Sequence, residues 1–125
     1  MQLIVRVIVG VIGLLGLAMA CAIWLHPENM AAQLGLSVAN VLGPATIRAD
    51  LAGFFAASGL LALGAAIRNE GRYAGVVALL VAVALVGRLF DVASRGFDAQ
   101  LAQPMIVEAV LVVLFAFAYR QLNRA

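Results

Sequence analysis

Residues 73–94 read YAGVVALLVAVALVGRLFDVAS, and this stretch decides the fold. From Tyr73 to Gly87 it carries no charge, and with its flanks it reaches the roughly 20 residues that a helix needs to cross a bilayer. Then Arg88 and Asp91 appear inside the same segment. Charges at membrane depth are costly and call for a reason. Three further apolar runs, Val7 to Leu25, Leu51 to Ile67 and Met105 to Tyr119, have similar reach. Helices are therefore expected near 3–25, 46–67, 73–94 and 104–121. With 66% hydrophobic and 11% charged residues the chain lies far outside soluble composition, in which about a quarter of residues are charged. The expected class is all-α: an integral membrane four-helix up-and-down bundle in which residues 1–125 form one domain.

The first run has the look of a signal peptide, with Arg6 ahead of it and Ala18-Met19-Ala20 as a small-residue site, but its apolar character continues to Leu25. It reads better as a first span. Arg6, Arg68, Arg72, Arg120 and Arg124 flank one side, whereas only Arg95 lies in a connection on the other. Positive flanks stay cytoplasmic, so a multi-pass membrane protein with both termini inside is expected. Tyr73 and Tyr119 at inner ends and Trp24 at an outer end agree with aromatic placement at interfaces.

Small residues mark the faces along which helices approach. Gly10, Gly13, Gly16 and Ala20 form a stripe on the first helix, and Gly53, Ala57 and Gly64 are expected to do the same on the second. Between these helices His26-Pro27-Glu28 opens the longest connection and Gly43-Pro44 closes it. Met30, Ala31 and Leu34 recur at helical spacing inside it, which predicts a short interfacial helix starting at Pro27 and ending at Gly35, lying over the mouth of the polar cluster. Asn69-Glu70-Gly71 forms a tight inner turn.

Threading the helices up and down brings Arg48, Asp50, Arg88, Asp91 and Glu108 to one membrane end, the outer one, where they form the candidate ligand-binding set together with His26. At ~1.5 Å per residue Arg88 lies about 9 Å below Ser94 and is the deepest charge. Arg88, Asp91 and Arg95 make a ladder on one helix face. Arg48 and Asp50, two residues apart, point about 200° away from each other. One of them should enter the bundle and meet Arg88 or Glu108 while the other turns outward, and helical spacing does not say which. Three carboxylates face the two arginines Arg48 and Arg88, so a surplus carboxylate is expected to hold a proton or bind a cation. Glu108, with no arginine within reach on its own helix, is the candidate. Against a ligand site stands a plainer reading, in which arginines snorkel, aspartates favour helix starts and an i to i+3 pair neutralises itself. Thr46, Ser58 and Ser94 read as capping or back-bonding groups.

No cofactor or metal is expected. His26 is the only histidine, Cys21 stands alone in what should be apolar core, and GxSxG, HExxH and glycine-rich phosphate loops are absent, so no motif anchors an enzyme. No basic run or aromatic platform points to nucleic acid. Ion conduction would need polar residues continuing inward, and Leu60, Leu61, Val77 and Leu80 offer none.

Arg48-Ala49-Asp50-Leu51-Ala52-Gly53 followed by Gly59, then Gly87-Arg88-Leu89, and Glu108 early in the fourth helix resemble small bacterial four-helix membrane proteins catalogued as domain of unknown function 4345, and more distantly the DoxX group. Ala52-Gly53 stands where such proteins often have paired glycines. The resemblance implies no assigned activity for the close family and, through the DoxX group, a link in places to quinone-coupled respiratory chemistry. It matches Arg48, Arg88 and Glu108 to the family's polar elements. The leading expectation is binding of an amphipathic small molecule or lipid, its head at the charges and its tail near Phe54, Phe55 and Phe90. The alternative is an accessory subunit, in a homo-oligomer or a larger respiratory or transport complex of the bilayer.

Overall fold

The computed structural model describes residues 1–122. Among these, α1 spans Gln2–Leu25, α2 Pro27–Gln33, α3 Leu42–Arg68, α4 Gly71–Arg95 and α5 Ala102–Leu122, and no strand is present. All but α2 are long and apolar enough to cross a bilayer, so this is a multi-pass membrane protein. The four-helix class is as the apolar runs predict. Pro27 opens α2, and Gly35 follows it with a φ of +80°, a conformation that glycine adopts without steric cost. Asn69 closes α3 in the left-handed conformation at φ 55°, making the tight turn into α4.

α3 starts four residues before the expected Thr46. The Asn40 side chain accepts from the Leu42 amide at 3.0 Å in a turn leading into the helix, while Pro44 sits in the first turn, where its missing N–H is no loss. A π-helical turn follows at Ile47–Leu51, with the Ala52 amide donating to the carbonyls of Ile47 and Ala49. The carbonyl of Arg48, four residues back from Ala52, is passed over.

The helices pack as two pairs, α1 along α3 and α4 along α5, with sparser contact between the pairs. Gly13 and Gly59 bring α1 and α3 together: a Cβ on Gly13 would lie 2.8 Å from the Gly59 carbonyl oxygen, and one on Gly59 2.7 Å from that of Gly13. Only glycine permits that approach, and close backbone packing is what holds helices together where lipid removes the hydrophobic drive. Gly16 also faces Gly59, and Gly10 faces Ala66. The expected partners Gly53 and Ala57 do not serve this contact: Gly53 faces open space and Ala57 is exposed.

The core is uneven along the bundle. At the end bearing the termini, all four long helices contribute, through Val5 and Val9, Ala62 and Ala65, Ala74 and Val77, and Phe115 and Ala118. At the opposite end the buried residues are Ala20, Ile23, Ala31, Ile47 and Ala52, which belong to α1, α2 and α3 alone. Nothing on α4 after Val81, or on α5 before Phe115, is buried. The α4–α5 hairpin thus leaves the shared core halfway along, and its far half carries the charges.

Candidate functional site

Ala84, Arg88, Asp91 and Arg95 recur on α4 at spacings of four, three and four, which lines them on one face, with Gly87 beside Arg88. That face, with Leu101 from the 3-10 turn Ala99–Leu101 and Glu108 from α5, borders an open cleft of about 370 Å³. Gly87 keeps the wall low, since nothing lies within 4 Å of where its Cβ would be.

Arg88 crosses from α4 to α5 and donates from Nε to Glu108 Oε1 at 2.8 Å. The arginine side chain is 40% exposed and the glutamate 15%. Two turns further out, Arg95 Nε donates to Asp91 Oδ1 at 3.0 Å along the expected ladder. Each guanidinium is engaged side-on through Nε, and the terminal Nη nitrogens of both arginines have no protein partner among the described residues. A planar fork held at one edge by a carboxylate presents its free edge to an incoming acceptor.

Arg48 and Asp50 are not part of this cleft. Both are exposed on α3, in the other helix pair. Arg48 Nε donates to the Trp24 carbonyl at 3.0 Å, closing an end of α1, and the Trp24 indole donates to the Arg48 carbonyl at 3.1 Å. The expectation that one of Arg48 and Asp50 would meet Arg88 or Glu108 is corrected: neither does, because the π-turn on which they sit belongs to the α1–α3 pair. The surplus carboxylate also changes identity. Glu108 has its arginine from the neighbouring helix, and of the three carboxylates Asp50 is the one without an ion-pair partner among the described residues.

Three further expectations are corrected. α2 does not cover the cleft, since its packing is against α1 and the π-turn, with Ala31 buried between them. Cys21 is exposed on the bundle surface and does not lie in the core. Ser58 makes no back-bond: its Oγ is enclosed and has no partner. His26 stands exposed at the corner between α1 and α2 and makes no side-chain cap. Phe55 packs into the α1–α2–α3 core and meets Phe54 edge-on at 5.7 Å, whereas Phe90 is exposed beside the cleft face. The involvement of Leu101 went unread in the sequence, because a lone leucine in a connection carries no signal there.

Arg68, Arg72 and Arg120 lie at the end bearing the termini, and Arg6 closes α3 there by donating to the Ala66 carbonyl at 2.6 Å. Arg124 lies outside the described residues. No group of three or more histidine, cysteine, aspartate or glutamate residues suited to a metal ion occurs among the described residues. Comparison with family models, with curated proteins and with solved structures gives no match for the chain.

Proposed function

We propose that this protein binds an amphipathic small molecule or lipid by its polar head, in the cleft between α4 and α5. One observation supports the reading above others. An arginine about 10 Å below the end of its helix is spent on only one bond to Glu108, and its free edge lines an open cleft. A purely structural ion pair would gain from burying both forks against each other. Here the Nη donors of Arg88 and Arg95 stay available for charge-assisted hydrogen bonds. The apolar part of the ligand lies along the exposed side chains flanking the cleft, among them Phe90 and Ile106. On this reading the cleft opens at the outer face of a bacterial inner membrane, with the termini and their arginines inside.

Native mass spectrometry of the protein released from its own membranes tests the proposal. A discrete small molecule should stay on the wild type and be lost on Arg88→Ala. Its retention by a folded Arg88→Ala variant would remove the reading.

A second reading, as an accessory subunit of a larger membrane complex, has Asp50 in its favour. This exposed carboxylate on a spanning helix has no ion-pair partner among the described residues, and a neighbouring subunit would supply one. A mass equal to a complex with another protein, lost on Asp50→Asn, would support that role.

A further inference from the structure

The charge balance of the cleft narrows the head group. Two arginines, Arg88 and Arg95, face two carboxylates, Asp91 and Glu108, so the lining is neutral overall. Each side chain is half used. The arginines bond through Nε alone, and Glu108 Oε2 and Asp91 Oδ2 have no hydrogen-bond partner among the described residues. The cleft therefore offers unspent donors and unspent acceptors side by side. A purely anionic head would satisfy the donors but leave the acceptors facing a like charge, and would bring a net negative charge to a lining that is neutral. A neutral polar head would leave both sets under-used.

Resting on the reading of the cleft as a head-group site, we infer that its ligand is zwitterionic: an anionic phosphodiester on the free Nη groups of Arg88 and Arg95, and a primary ammonium on the free oxygens of Asp91 and Glu108. Glycerophosphoethanolamine is that chemistry, carried either within a membrane phospholipid or as the soluble diester. Guanidinium forks suit phosphate oxygens, and an ammonium with three donors suits paired carboxylates. Ligand binding of this kind leaves the neutrality of the cleft unchanged.

The test uses the full chain, stripped of lipid in detergent and offered phosphatidylethanolamine or phosphatidylglycerol with matched acyl chains, with adducts read by native mass spectrometry. Phosphatidylethanolamine should be retained at least about tenfold better, a difference near 1.4 kcal/mol. Asp91→Asn, which removes one acceptor and leaves a surplus arginine, should reverse the preference toward phosphatidylglycerol. Asp91 pairs only within its own helix, so this variant does not put folding at stake. Displacement of the lipid by soluble glycerophosphoethanolamine, a phosphodiester with the same charges, would support the same chemistry from a soluble source, and failure to displace it would support the lipid. Equal retention of the two lipids, or a preference that Asp91→Asn leaves intact, would overturn the zwitterion while the head-group site stands. So would a different small molecule that co-purifies and is lost on Arg88→Ala. Protein that carries no small molecule from its own membranes and retains neither lipid would overturn both.

Discussion

Trp24 and Arg48 exchange hydrogen bonds: the indole of the first donates to the carbonyl of the second, and the guanidinium of the second donates to the carbonyl of the first. Each bond satisfies a carbonyl that helix geometry leaves over. The Trp24 carbonyl ends α1, where the last turn has no amides to follow it. The Arg48 carbonyl is skipped by the Ala52 amide in the π-turn. The charge on α3 is thus used to tie the helix pair together, away from the cleft.

Arg48→Ala should therefore lower stability by about 1 kcal/mol, the discounted worth of an exposed charge-assisted hydrogen bond, and leave ligand retention unchanged. Thermal unfolding in detergent, with retention measured on the same sample, checks both halves. Loss of ligand with stability intact would return Arg48 to the binding site.

Arg88 and Glu108 should behave as a coupled pair. In a double-mutant cycle with Arg88→Ala and Glu108→Ala, the two single losses of stability should exceed the double by about 1 kcal/mol, since each single change strands a partly enclosed charge. Strict additivity would mean that the contact is not formed in the membrane.

Gly59→Ala should cost about 1–3 kcal/mol, because the added methyl lands on the Gly13 carbonyl and backbone cannot yield as a side chain can. Gly53→Ala and Gly87→Ala, both facing open space, should leave thermal stability nearly unchanged. A similar response at all three positions would refute the glycine contact as the seam of the α1–α3 pair.

Ser58→Ala should raise stability by about 1 kcal/mol, because it removes an enclosed hydroxyl that has no partner. The unfolding midpoint reads this directly. A fall instead would show that the hydroxyl is bonded in the membrane.

The apolar runs made the four spans legible, and Pro27 and Gly35 made α2 legible, because these signals are local. The start of α3 was less so. Gly43-Pro44 reads as punctuation, yet a proline in a first turn is compatible with the helix it opens. The π-turn has no sequence signal at all. For the site, the ladder of Arg88, Asp91 and Arg95 follows from helical spacing, and the convergence of Arg88 with Glu108 follows from threading. The departure of Arg48 and Asp50 does not. It depends on which helices pair most closely, and that is decided by Gly13 meeting Gly59 across 46 residues of sequence, a contact no periodicity within one helix reveals.

The uneven core has a mechanical consequence. No residue on the far half of the α4–α5 hairpin is buried, so less packing opposes small changes of spacing there than at the end bearing the termini, which is locked by packed side chains from all four long helices. The molecule is a clothes-peg with its spring at one end. The gap between its jaws, which lies between the hairpin and the α1–α3 pair and not in the α4–α5 cleft, is the part of the bundle that the least packing holds closed.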